Sequence, residues 1–118
     1  MTDHLITIAE TNAFITQAKA LFTDDERHEV VNGIAADPKC GVLIQGSGGV
    51  RKVRVALPGK GKSGGARIVY FYHNDTIPLY LLAVFAKNEK ANLTKAEQGA
   101  LKKMTGAIVR AWEQRTKS

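Results

Sequence analysis

This chain has too few cysteines for a disulfide framework or a cysteine-built zinc site. Among its 118 residues there is one, Cys40, which suits a reducing cytoplasm and reads as a small half-buried apolar residue. No window comes near the roughly 20 apolar residues of a membrane helix. The opening MTDHLITIAE lacks a basic stretch followed by an apolar run, so neither secretion nor membrane insertion is expected. His4, His28 and His73 lie far apart without paired carboxylates at ligand spacing, and no metal centre is expected. A serine or cysteine nucleophile with its histidine has no local support. The nearest approach to a nucleotide motif is ALPGKGKS, Ala56 to Ser63, one residue short of G-x-x-x-x-G-K-[ST]. Ala56 replaces the first glycine, and the succeeding GGARIVY is a strand pattern, whereas a P-loop opens onto a helix N-terminus. No cofactor is expected.

Acid is the other scarce commodity, and its absence is local. Residues 1–38 carry seven acids and two bases, residues 39–74 seven bases and no acid, and residues 75–118 eight bases and four acids. The overall +6 therefore conceals a strongly basic middle segment. Gly46 to Tyr72 holds Arg51, Lys52, Arg54, Lys60, Lys62 and Arg67. So much uncompensated charge calls for an anionic partner, and a polyanion with closely spaced phosphates fits best.

Periodicity orders the rest. Leu5 to Ile8 reads as a short strand near a sheet edge, and Asn12 to Phe22 as a helix with Phe14, Ile15, Ala18, Leu21 and Phe22 on one stripe. Thr23-Asp-Asp-Glu26 is a capping box that starts a second helix, ended near Ala36 by Asp37-Pro38. Gly41 to Gln45 is a short strand that leads into a glycine turn. Val50 to Leu57 alternates, with Val53, Val55 and Leu57 on one face and Lys52, Arg54 and Ala56 on the other. After the glycine-rich Pro58 to Gly65 connection, Arg67 to His73 resumes a strand with Arg67, Val69 and Phe71 sharing a face. Leu79 to Phe85 is almost wholly apolar, the pattern of a central strand covered on both sides. Thr94-Lys-Ala-Glu97 caps a last helix bearing Leu101, Met104, Ile108, Ala111 and Trp112 on one face. This order predicts one α+β domain, 1–118, with a mostly antiparallel sheet of about four to five strands, two N-terminal helices and a C-terminal helix, the helices on one side.

Lys52 and Arg54 on one face, with Arg67 on the neighbouring strand, suit phosphate binding; Phe71, with Tyr70, Tyr72 and Phe85 as further candidates, could stack an unpaired base. That combination favours single-stranded RNA over duplex DNA. RNA supplies its own nucleophile, the 2′-hydroxyl, so a ribonuclease of this kind needs a base, cations for the phosphorane charge and an acid for the 5′-oxygen. Lys52 is the expected base, with Arg54 and Arg67 as phosphate clamps.

GVLIQGSGGVRKVRVALPGKGKSGGARIVYFY, then LYLLAVFAKNEKANL and a helix, resembles the RelE/HigB (ParE/RelE) superfamily of bacterial type II toxins, nearest a HigB-like branch. The resemblance spans Phe22 to Met104, and its most specific pieces are the Arg51-to-Arg67 block and Lys87-Asn88-Glu89. It implies a small α+β fold, ribosome-dependent cleavage of mRNA without a metal, and neutralisation by a helix-turn-helix antitoxin. Lys52 and Arg54 then match the paired strand cations that accept a proton and stabilise charge. Arg67 matches the arginine on the scissile phosphate, and Lys60 and Lys62 match lysines that position ribosomal RNA or message. Arg51, Phe71, Phe85 and Lys87 complete the expected RNA-binding set. The chain departs from the pattern at Asn88, where RelE carries an arginine able to act as general acid, and no tyrosine stands close behind it. That departure leaves open a non-catalytic alternative, a gyrase-directed toxin or an RNA-binding adaptor.

Overall fold

The computed structural model describes residues 6–56, 65–86 and 94–117. They form β1 (Ile8–Glu10), α1 (Asn12–Leu21), α2 (Asp24–Ala36), β2 (Val42–Leu43), β3 (Val50–Val55), β4 (Ala66–Phe71), β5 (Leu79–Ala86) and α3 (Lys95–Lys117). The strands make one sheet in the order β1-β5-β4-β3-β2. β1 runs parallel to β5, and every other pairing is antiparallel. The architecture is α+β, as the sequence predicts.

Local chemistry accounts for the helix starts. Thr11 Oγ1 accepts from the Phe14 amide at the head of α1, and the Thr23/Glu26 box closes reciprocally at the head of α2, with distances of 2.8 and 3.1 Å. Thr94 and Glu97 do the same for α3, at 2.9 and 3.1 Å. Each box satisfies amides that the first helical turn leaves without partners. Asp24, Asp25 and Glu26 also place negative charge where the α2 dipole favours it.

Strand alternation then divides the sheet into two faces. Ala66, Ile68 and Tyr70 of β4, with Leu79, Leu81 and Val84 of β5, pack against Phe14 and Ala18 of α1 and Ile34 of α2, all buried. An ion pair, Arg27 to Glu10 at 2.6 Å, ties α2 to the edge strand. The other face receives α3. Trp112 Nε1 donates to Tyr80 Oη at 2.9 Å. Thr105 Oγ1, buried, donates to the Ser47 carbonyl at 3.2 Å. The helices thus sandwich the sheet, which corrects the expectation that they share one side; β5 is covered on both faces because α1 and α3 approach it from opposite directions. Two smaller differences arise from pairing. The first strand lies at Ile8–Glu10, where it can bond β5, and the middle of the sheet is β4.

Tyr70 holds the α2–β2 connection against the sheet. Its hydroxyl donates to the Pro38 carbonyl at 2.8 Å and accepts from the Gly41 amide at 2.9 Å, with Cys40 Sγ 3.7 Å away. Cys40 itself is exposed, not half-buried as its composition class suggests. A Cβ on Gly41 would stand 2.8 Å from the Tyr70 hydroxyl and 2.9 Å from the Lys52 carbonyl, so only glycine fits this approach.

Tyr70→Phe is expected to cost about 2–3 kcal/mol, because one buried and one part-buried backbone group lose their partner while the ring stays in place. Burial pushes the Tyr70 phenol well above its usual 10.0. A proton held more tightly in the folded state stabilises that state as long as the unfolded phenol would ionise first. The contribution is therefore complete below about pH 10 and shrinks as pH rises past it. Urea midpoints from pH 8 to 11 should show the wild type's advantage over Tyr70→Phe narrowing above pH 10; a constant gap would contradict this account.

A cationic half-face as the candidate functional site

Among the described residues, α3 covers only part of the face it packs on. At one end Val50 and Phe71 are register partners, and both are fully buried. At the other end the face presents Lys52, Arg54 and Arg67, with Arg54 exposed and the other two half-buried. Period-two alternation puts Lys52 and Arg54 on one side of β3, and antiparallel register sets Lys52 opposite Val69 and Arg54 directly opposite Arg67. Arg67 in turn pairs with Phe85 on β5. A rung Arg54–Arg67–Phe85 thus crosses three strands, with Lys52 one rung away. Directly opposed Cα atoms sit about 5 Å apart, close enough for neighbouring side chains to share one anion.

Stability does not explain this rung. Like charges directly opposite each other destabilise a sheet, and no carboxylate among the described residues pairs with Lys52, Arg54 or Arg67. Arg67 Nε is buried without a hydrogen-bond partner among the described residues, a condition it shares with Arg27 and Arg51; in Arg67 it adds to the cost of the opposed cations. An anion seated between Arg54 and Arg67 would remove the repulsion and satisfy planar donors at once.

Other residues expected at the site part company with it. Arg51 is the neighbour of Lys52 in sequence, so it points to the opposite face; its Nη1 donates to the Gly41 carbonyl at 2.8 Å and to the Lys39 carbonyl at 3.4 Å. Those bonds anchor the β2 side of the sheet. Phe71 shares the face of Arg67 but is fully buried, with its ring 6.2 Å from that of His73. It offers no free surface for a base. Tyr70 belongs to the core, while Tyr72 is engaged with Asp75 at 2.7 Å; that hydrogen bond, aided by burial, raises the Tyr72 phenol. Phe85 stays half-buried beside Arg67. Lys60, Lys62 and Lys87, and Asn88 with them, lie outside the described residues, as does most of the P-loop-like segment. The chain beyond that segment, from Ala66, is strand β4 and not a helix, which removes the phosphate site a P-loop requires.

Beside the cationic rung lies a feature that periodicity alone missed. Leu101 and Met104 read as ordinary buried positions of a helix. With Val69, Leu82, Ala83 and Phe85 they instead line a mostly apolar groove of about 750 Å³, whose far wall is α1. Among the described residues there is no group of His, Cys, Asp and Glu side chains that could hold a metal ion, and no helix there is long and apolar enough to cross a membrane.

A family model described as the RelE toxin of the RelE/RelB toxin–antitoxin system matches residues 17–118. The match takes in both helix layers, the four strands β2 to β5 and the whole cationic half-face, and the chain therefore belongs to the RelE toxin family.

Proposed function

We propose that this toxin is a ribosome-dependent mRNA endonuclease of the cytoplasm, held in check by a helix-turn-helix antitoxin. The observation that carries the reading is the rung of Arg54 and Arg67 beside Lys52, three cations on one face with no carboxylate paired to them among the described residues. In the proposed reaction the uncharged amine form of Lys52 takes the proton from the message's 2′-hydroxyl, becoming an ammonium, while the hydroxyl oxygen attacks the adjacent phosphorus. Arg54 and Arg67 hold the added negative charge of the phosphorane, and the 5′-oxygen leaves as the protonated hydroxyl. Phe85 flanks Arg67 and offers a ring to a neighbouring base. Lys60, Lys62 and Lys87 add charge for the message or ribosomal RNA, and Arg51 serves the fold.

Induction in a bacterium, with subsequent mapping of message ends, tests this. Cuts within codons should appear with the wild type and vanish with Arg67→Ala. Intact messages alongside arrested translation would rule the nuclease out. DNA-damage signalling without message loss would favour the gyrase-directed alternative that Asn88 leaves open.

A further inference from the structure

The groove between α1 and α3 shares its floor with the cationic rung. Val69 is the register partner of Lys52 on one side and of Ala83 on the other, and Phe85 is the partner of Arg67. Val69, Ala83 and Phe85 all line the groove. Register partners stand about 5 Å apart, so a group held by the cations has the groove one strand away.

The polar groups of the lining limit what can lie there. Thr11 Oγ1 donates to the Leu81 and Leu82 carbonyls at 2.9 and 3.3 Å and accepts from the Phe14 amide at 3.2 Å, so its hydroxyl is spent. Gln17 is half spent. Its Oε1 accepts from the Val84 amide at 2.9 Å, and a donor at that place fixes the oxygen end of the side-chain amide. The other end, Nε2 with two N–H donors, has no partner among the described residues. Glu97 adds a carboxylate from α3, and no cation lines the groove among the described residues. Such a lining offers nothing to a phosphate. It suits an uncharged, flat group that lays an apolar face on Phe85 and turns an acceptor to Gln17, and a nucleobase is such a group.

We infer that the groove receives the base of the nucleotide whose phosphate the rung holds, with its ring on Phe85 and a ring nitrogen or carbonyl oxygen accepting from Gln17 Nε2. Gln17 is then a specificity residue, because the four bases present their acceptors at different places. The inference rests on the phosphate seat of the proposed function and extends it from phosphate to base.

Gln17→Glu separates this role from a structural one, since a carboxylate still accepts from the Val84 amide while the donor is gone. The methyl resonance of Met104, which lines the groove, reports occupancy; the probes are the four nucleoside 5′-monophosphates, with ribose 5-phosphate as the control. Nucleotides should shift that methyl, ribose 5-phosphate should leave it in place, and the variant should bind its best nucleotide about tenfold more weakly, the consequence of one lost hydrogen bond and an acceptor facing an acceptor. Its urea midpoint should match wild type. No shift with any nucleotide, an equal shift with ribose 5-phosphate, or unchanged affinity in Gln17→Glu would overturn the inference, and a lowered midpoint would make Gln17 a structural residue and overturn its part in specificity. Message cutting on ribosomes is scored separately: nucleotides in the groove without cutting would uphold the base seat and remove the nuclease, whereas cutting without any shift at Met104 would do the reverse.

Discussion

Arg67→Ala is expected to lower single-turnover cleavage of message on programmed ribosomes by about 10²–10³-fold, the usual consequence of removing one preorganised donor from developing charge. The loss falls on the chemical step, because an arginine placed for the phosphorane binds the transition state more tightly than the ground state. Arg67→Lys separates geometry from charge. It keeps the cation but loses the planar fork and the nitrogen that is left unbonded at Nε, so it should recover only part of the rate. Stability should move the other way. Removing one of two opposed cations relieves repulsion across the Arg54–Arg67 pair, so Arg67→Ala should melt no lower than wild type at low salt. A variant that is both inactive and markedly less stable would indicate a structural role and weaken the site.

The largest expected effect on folding is at Gly48. Its φ of +82° lies in the left-handed region, and a Cβ there would collide with Thr105 Oγ1. That hydroxyl bonds the Ser47 and Lys102 carbonyls at 3.2 and 3.1 Å, so it has no room to yield without giving up buried hydrogen bonds. Left-handed strain and a displaced hydroxyl together make Gly48→Ala cost about 3 kcal/mol. The cost should couple to α3, because Thr105 is the point at which the helix meets the turn. In Gly48→Ala/Thr105→Ala the collision disappears and only the backbone strain and the lost hydroxyl remain. Urea denaturation should therefore show the double variant less destabilised than the two single changes added together. Strict additivity would mean that the turn and the helix are not in contact.

Much of this was legible from residue order, and the exceptions share one cause. Both capping boxes, the charged face of β3 and the apolar run of β5 are local patterns, and local patterns survive into the fold. Even the placement of Arg51 obeys parity: one step from Lys52 along a strand is the opposite face, and pooling cations by count hid it. Phe71 was different. Parity correctly joins it to Arg67, but which end of a face is covered depends on where α3 lies, and no pattern within β4 encodes that. The same long-range fact decides that the helices sandwich the sheet and that Leu101 and Met104 border a groove. The parallel pairing of β1 with β5 joins segments about 70 residues apart, beyond the reach of any local periodicity.

In the proposed site Lys52, Arg54 and Arg67 seat a single backbone phosphate on the face of the sheet that α3 leaves to them. A structure of the toxin on a ribosome whose message carries a 2′-O-methyl group at the cut nucleotide tests it most directly, since the blocked nucleophile holds the substrate in place. The scissile phosphate should contact both guanidinium groups, with Lys52 Nζ within hydrogen-bond reach of the methylated oxygen. A phosphate bound elsewhere on the chain, or these three side chains turned to separate surfaces, would contradict it.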